Sequence, residues 1–255
     1  MPAWLDDFLW TYQNLVHALG INGLLALSMY VVLAVGQLSL GQAAFMGLGA
    51  YSSALMTLKL KLPFLVVLPA SVVVPVLFAL AVGVPTLRLA GVYLAIATIG
   101  LGEVLRAVYL NVDAFGGALG LSGIPERGET WMIYGLLVVA AAVMGVPVGR
   151  YRMGALLVSA MLAGVAGCLS AHVSSFIGPN EYGFEPAVTI LSFALLGGIG
   201  TPVAPVLGAW VLTLLPELLR GVSDVRLVVN GVIIVLAVLF LPRGLLGLRM
   251  RRRAA

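Results

Sequence analysis

The fold of the first part of the chain is decided by one stretch without Asp, Glu, Lys or Arg, which runs from Phe8 to Leu58: FLWTYQNLVHALGINGLLALSMYVVLAVGQLSLGQAAFMGLGAYSSALMTL. A helix that crosses a bilayer needs about 20 apolar residues. This stretch is too long for one crossing, and a polar segment divides it, Gly36-Gln37-Leu38-Ser39-Leu40-Gly41-Gln42. The stretch therefore predicts two membrane helices with a break between them.

The rest of the chain has the same apolar character. Of its 255 residues, 62% are hydrophobic and only 9% are charged, whereas soluble domains have about 25% charged residues. Such a chain has too little polar surface for a soluble protein and too much apolar surface for a disordered one. Its glycines follow no period of three, which excludes a collagen-like fibre. The composition predicts a multispanning membrane protein.

Further charge-free runs predict an all-α polytopic transmembrane helix bundle, a single domain over residues 1–255 with about eight or nine spanning or half-spanning helices. Helices are favoured because the runs lack the alternating pattern of barrel strands and lipid leaves no partner for free backbone groups. The seventh pass is short enough to be a half-helix. The predicted passes cover residues 18–36, 40–58, 63–84, 90–110, 131–148, 153–173, 186–199, 203–219 and 226–241.

The basic residues predict the orientation of the bundle. Cytoplasmic flanks of membrane helices carry an excess of Lys and Arg. With nine passes, one side receives Arg88, the link 144–152 and the basic tail 243–255, whereas residues 1–17 form a flank on the other side. We therefore expect a cytoplasmic C-terminus and an external N-terminus. The arginines of the tail are typical of a membrane flank, and we expect no nucleic-acid binding.

The polar break supplies the first candidates for a substrate pathway, Gln37, Ser39, Gly41 and Gln42. Transporters often place broken helices at substrate sites near the membrane midplane. A tight polar turn at the membrane surface would give the same pattern, because glycine-rich turns commonly separate helices.

A second segment resembles the residues after the break at a constant offset of 159 positions. An aromatic residue, Tyr51 or Trp210, follows in both copies. The match predicts an internal pseudo-repeat, although segments rich in Gly, Ala and Leu also match by chance. The matching residues are Gly41, Leu48, Gly49, Ala50 and Leu55 with Gly200, Leu207, Gly208, Ala209 and Leu214.

Glu103 and Arg106 are ionisable residues within the fourth predicted pass. Three positions apart, they share one helix face. Charges inside a membrane are costly and usually face protein or a water-filled cavity. The sequence leaves two interpretations open, a pathway or gating pair and a structural ion pair that neutralises itself.

No residues with the spacing of a metal site or a catalytic centre occur. His17 and His172 lie far apart, and Cys168 with His172 alone cannot complete a zinc site. No phosphate-binding loop or serine-nucleophile motif occurs. We expect no metal, no catalytic residue and no cofactor bound by this chain.

Several strings in order resemble the permeases of branched-chain amino acid ABC transporters, on the LivM side of the permease pair. The resemblance covers nearly the whole chain. The strings are Gly36–Tyr51, Arg88–Arg106, Gly116–Pro125, Leu195–Gly200, Leu214–Leu219 and Leu241–Leu246.

The resemblance implies a permease subunit in a bacterial or archaeal inner (plasma) membrane that moves branched-chain amino acids by alternating access. It also implies a second, homologous permease subunit, two cytoplasmic ATPases that use ATP, an extracytoplasmic substrate-binding protein and surrounding lipid. Permeases for urea or short-chain amides are very similar, so they are the alternative.

The chain departs from the family between its fifth and sixth passes. Members of the family carry there a cytoplasmic stretch that docks on the ATPase, whereas here residues 131–143 lead directly into Met144-Gly-Val-Pro-Val-Gly-Arg-Tyr-Arg152. The remaining candidates for ATPase coupling are Gly145, Arg150, Tyr151 and Arg152, although the arginines also fit plain cytoplasmic anchors. The shortened link leaves open a non-transporting structural subunit in which ATP coupling is lost.

Overall fold

The computed structural model describes residues 3–86, 88–89, 91–126, 130–143 and 152–218, with the side chains described from Tyr12 onward. Eight α-helices account for most of these residues. In chain order they are α1 (Ala3–Ala34), α2 (Gln42–Leu60), α3 (Phe64–Thr86), α4 (Val92–Asn111), α5 (Thr130–Val143), α6 (Arg152–Ser174), α7 (Phe184–Gly197) and α8 (Val203–Leu218).

The predicted all-α membrane bundle is confirmed. Four helical segments in the described part of the chain are long and apolar enough to cross a membrane, whereas α5, α7 and α8 are apolar but shorter. The 14 residues of α7 span about 21 Å, less than the hydrocarbon thickness of about 30 Å. The ninth predicted pass, 226–241, lies outside the described residues. The four long segments are Tyr12–Ala34, Phe64–Thr86, Val92–Asn111 and Arg152–Ser174.

The first helix differs from its sequence prediction in where it begins. It starts at Ala3, whereas the first pass was predicted from residue 18 behind a flank at 1–17. A run without charges marks the part of a helix that lipid can surround, but helical backbone continues through Asp6 and Asp7. The uncharged part of α1 begins at Phe8, directly after these two residues.

The core forms around α6, which packs against α1, α2 and α3. Its inward residues are small and fully buried, among them Ala160, Ala163, Gly164 and Gly167. Small side chains let helix backbones approach closely, and this packing replaces the hydrophobic effect between helices in lipid. By contrast, α3 and α4 turn apolar side chains such as Leu77 and Val104 outward.

The helices α2, α4 and α6 finish at the same end of the bundle. Thr57, late in α2, hydrogen-bonds His172, late in α6, and Tyr51 stacks on Tyr109, late in α4. We call this end the acidic end, because it holds four carboxylates, three in the segments beyond these helices and one in the first turn of α7. Lys59 and Lys61, at the end of α2, lie there too. A two-residue antiparallel ladder also lies here and joins Leu121–Ser122 to Phe176–Ile177. The carboxylates are those of Asp113, Glu126, Glu181 and Glu185.

The two copies of the predicted repeat have the same local arrangement. Gly41 lies in the break between α1 and α2, and Gly200 lies in the short connection between α7 and α8. At an offset of 159, α8 corresponds to most of α2, and α7 corresponds to the end of α1 and the start of its break. Both copies therefore consist of a helix, a glycine-containing break and a second helix.

Candidate functional site

The break between α1 and α2 is buried inside the protein. Gly36 ends α1 with a positive φ of 72°, a conformation that costs glycine little. The three polar side chains that follow are almost completely enclosed, since Gln37 is 3%, Ser39 1% and Gln42 1% exposed. The structure therefore brings together four of the predicted pathway residues: Gln37, Ser39 and Gly41 in the enclosed break, and Gln42 at the first position of α2.

The backbone of the break is satisfied by a neighbouring helix. The Leu40 N–H donates to the Thr98 hydroxyl of α4 at 2.9 Å, and the Gly41 N–H donates to the Ser39 hydroxyl at 3.3 Å. The Gln42 amide donates to the Ser159 hydroxyl of α6 at 3.3 Å. Thr98 and Ser159 were not predicted as site residues, because a single hydroxyl in an apolar helix does not indicate what it faces.

Gln37 is the unusual member of the break. Its backbone N–H donates to the Val32 carbonyl at 3.0 Å. Its side-chain nitrogen and oxygen are both buried, and neither has a hydrogen-bond partner among the described residues. Buried polar groups are nearly always paired, so an unpaired amide calls for a partner that the protein alone does not supply. An amide has two donor hydrogens and one acceptor oxygen, which suits it to bind the polar end of a small molecule.

Glu103 and Arg106 lie away from the break, where α4 meets the segment before α7. Their ion pair measures 3.1 Å, and 40% of the Glu103 side chain is exposed. The other Glu103 oxygen accepts the Phe184 N–H at 2.9 Å, and Arg106 donates to the Asn180 side chain at 2.7 Å. A carboxylate suits this position, since it faces the positive end of the α7 dipole. The geometry favours the structural interpretation of the pair.

An aromatic cluster fills the space between this segment and α2. The rings of Tyr51 and Tyr109 stack with centroids 4.1 Å apart, and Tyr182 and Phe115 meet Tyr51 edge-on. Burial raises the pKa of the Tyr182 hydroxyl well above its ordinary value, so this hydroxyl stays neutral. The cluster packs the segment before α7 onto α2 and α4.

Arg152, the coupling candidate that the structure describes, lies at the opposite end of α6 from the acidic end. Arg152 is the first residue of α6 and is exposed. Gly145, Arg150 and Tyr151 lie outside the described residues. Within the described ranges, no group of three His, Cys, Asp or Glu side chains could hold a metal ion. His172 packs among Thr57, Phe64 and the Cys168 carbonyl, an arrangement typical of a core histidine.

Comparison with known proteins identifies the family. Residues 11–133 and 128–240 match the permease component of branched-chain amino acid transport systems. The chain belongs to this permease family. It is 28% identical to the high-affinity branched-chain amino acid transport system permease protein LivM of Salmonella typhimurium and to that of Escherichia coli strain K12. Each alignment covers 92% of this chain and 68% of the relative. No solved structure matches the chain.

Family membership and the apolar helices make the protein a multi-pass membrane transport permease and not an enzyme. Permeases of ABC transporters work in general with ATPases and substrate-binding proteins. The alignment with each LivM protein is 296 positions long, more than the 255 residues of this permease. Each relative therefore carries residues within the aligned region that have no counterpart here.

Proposed function

We propose that this permease is one subunit of an ABC importer that moves branched-chain amino acids across the inner membrane of a bacterial or archaeal cell. A second, homologous permease subunit completes the pathway, and an extracytoplasmic binding protein delivers the substrate. Two cytoplasmic ATPases supply the energy, so this chain binds no cofactor of its own. Its C-terminus and the end of the bundle at which α6 begins with Arg152 face the cytoplasm, and the acidic end faces outward.

The unpaired Gln37 amide is the observation that carries this proposal. It lies in a buried break between two helices, the arrangement in which transporters hold substrates. The Gln42 amide and the Ser39 hydroxyl lie in the same break, and the surrounding core is aliphatic. An amino acid with an aliphatic side chain suits such a site, because its polar end pairs with amides while its side chain contacts apolar residues.

Alternating access requires that the break open first to one side and then to the other. The permease contributes helices joined by short breaks, which allow one helix to move relative to the next. The ATPases would act on it through the link 144–152, with Gly145, Arg150, Tyr151 and Arg152 as contact residues. In the resembling family this link is longer, and the residues missing from the alignment with the LivM proteins are consistent with a shortened link.

The test is ATP-dependent uptake of [14C]leucine into proteoliposomes. The permease is co-reconstituted with its partner permease, the ATPases and the binding protein, beside a variant in which a family-length coupling segment is inserted after residue 144. Uptake by the native permease would support the proposal and would mean that the short link suffices for coupling. Uptake only after the insertion supports the pathway and assigns the native chain to a coupling-defective subunit.

Urea and short-chain amides are the alternative substrates. ATP-dependent uptake of [14C]urea without uptake of leucine would overturn the proposed substrate class while keeping the permease role. Binding of the ATPases without transport of either substrate by both versions would favour a non-transporting structural subunit. Omitting ATP or collapsing the ion gradient gives the control against a carrier that works without ATPases.

A further inference from the structure

A cavity of about 630 Å³ opens at the acidic end of the bundle. It lies between the part of α1 around residues 14–22, the last turn of α6 and the segment that precedes α5. Its size falls in the range of small-molecule sites, about 300–1,000 Å³. The break with Gln37 does not line this cavity. The lining residues are Asn14, Ala18, Ile21, Asn22, Met46, Glu126, Ser170, Val173, Ser174 and Ser175.

The wall of the cavity has two chemically different parts. Ile21, Met46 and Val173 form an apolar part. Glu126 and Asn14 contribute a carboxylate and an amide, and neither side chain makes a hydrogen bond or a salt bridge with a described residue. Glu126 does interact electrostatically with His17 of α1. Asn22 donates to the Thr213 hydroxyl at 2.9 Å, which leaves its amide oxygen as an acceptor. The polar part therefore offers one negative charge beside amide and hydroxyl groups.

This combination fits a zwitterion with an aliphatic side chain. The Glu126 carboxylate forms no salt bridge with a described residue, so it would attract an ammonium group, and the donor hydrogens of an amide suit a carboxylate. Urea can donate N–H groups to Glu126 but carries no positive charge for the carboxylate to attract, so the carboxylate favours an ammonium group over urea. Anionic ligands without an ammonium group would be repelled by it.

The cavity also lies next to the buried break. Met46 is one helical turn beyond Gln42 on α2, so both side chains lie on the same face of that helix. A ligand resting on Met46 is therefore about one turn of helix from the Gln42 amide, at the end of the break. The cavity and the break form two successive positions along one side of α2.

We propose that this cavity is the entry site for the substrate, where Glu126 binds the α-ammonium group and the apolar wall of Ile21, Met46 and Val173 receives the aliphatic side chain. The assignment deepens the proposed function and rests on it. It gives Glu126 a role in selecting amino acids over amides before the substrate reaches Gln37 and Gln42.

The experiment measures binding of [3H]leucine to the purified complex of both permeases and the ATPases, without the binding protein. We expect saturable binding that Glu126→Gln weakens about tenfold, the scale of one lost charge-assisted hydrogen bond. The matched control is Glu185→Gln, an exposed carboxylate of the same end that does not line the cavity; it should bind leucine like the native protein.

Competition with 4-methylpentanoate, which lacks the ammonium group, identifies the group that Glu126 binds. The native complex should prefer leucine, and Glu126→Gln should lose that preference. A second variant, Val173→Trp, fills the apolar part and should reduce leucine binding, whereas Val104→Trp on the outer face of α4 should not.

Two outcomes overturn the entry site: no saturable binding of leucine, or equal binding by the native and Glu126→Gln complexes. The uptake assay with the binding protein separates this failure from failure of the proposed function. Leucine uptake that persists while Glu126→Gln has no effect refutes the entry site alone. Absence of leucine uptake together with uptake of urea refutes the amino-acid importer.

Discussion

Gly49 of α2 lies directly against the backbone of Gly164 in α6. A methyl group at position 49 would overlap the Gly164 carbonyl oxygen and Cα, and these backbone atoms cannot rotate away as a side chain can. Gly167 meets the Met46 carbonyl in the same way, so the two helices touch at backbone distance over more than one turn. Because α2 begins at the break, this contact sets the position of the break against α6.

Gly49→Ala should therefore destabilise the protein. Placing an extra methyl in a packed core typically costs about 1–3 kcal/mol, and here the obstacle is backbone. The measurement is the midpoint of thermal unfolding in detergent, followed by size-exclusion chromatography of the heated samples. The midpoint should fall relative to the native protein.

The control for this variant is Gly100→Ala in the middle of α4. A methyl group there meets no atom within 4 Å. Alanine is the better helix former by about 1 kcal/mol, so this variant should match or exceed native stability. Equal midpoints for the two variants would contradict the close approach of α2 and α6.

Thr98→Val should destabilise the break. The change removes the oxygen that accepts the Leu40 N–H and leaves this buried donor unpaired, at a cost of about 1–3 kcal/mol. Thr98→Ser retains the oxygen and should restore most of the stability. The free energy of unfolding of both variants, from denaturant titration in detergent, checks the prediction. Valine keeps the methyl group of threonine, so a valine variant as stable as the native protein would contradict the role of this hydrogen bond.

The membrane character, the helices and the break could be predicted because they depend on local sequence. In lipid, backbone groups must pair within the helix, so a long apolar run without charges is enough to predict a membrane helix. The break was predicted at Gly36–Gln42, and the structure places it between Ala34 and Gln42. The predicted pass 18–36 marks an apolar part of α1, and the helix itself begins at Ala3, because helical backbone also continues through polar residues before that part.

The partners of the site residues could not be predicted, because they are distant in the sequence. Thr98 lies 58 positions from Leu40, and Ser159 lies 117 positions from Gln42. Asn180, the partner of Arg106, is 74 positions away. Hydroxyl and amide side chains occur throughout the chain, and only the packing of helices decides which of them meet. For the same reason the sequence alone could not decide whether Glu103 has a role in the pathway or a structural role.

Glu103→Gln should reduce leucine uptake by less than about twofold. Glutamine keeps an acceptor oxygen for the Phe184 N–H and loses only the ion pair with Arg106. Since 40% of the glutamate side chain is exposed, that ion pair is worth less than about 1 kcal/mol. Glu103→Ala also removes the acceptor at the start of α7 and should lower the thermal midpoint more. Normal folding with abolished uptake in Glu103→Gln would instead assign this carboxylate to the pathway.

Gln37→Met should abolish most of the leucine uptake while leaving the protein as stable as the native chain. The Gln37 amide has no partner among the described residues, so an apolar side chain of similar length removes a desolvation cost and breaks no hydrogen bond. If the amide binds the substrate, its loss should lower uptake about tenfold, the effect of roughly 1.4 kcal/mol. Initial rates of uptake are compared with thermal midpoints of the same preparations.

The control is Gln13→Met on the exposed start of α1, which should change neither the uptake rate nor the thermal midpoint. Loss of stability in Gln37→Met without a separate effect on uptake would show that the amide serves the fold, and the break would then have no claim to be the substrate site.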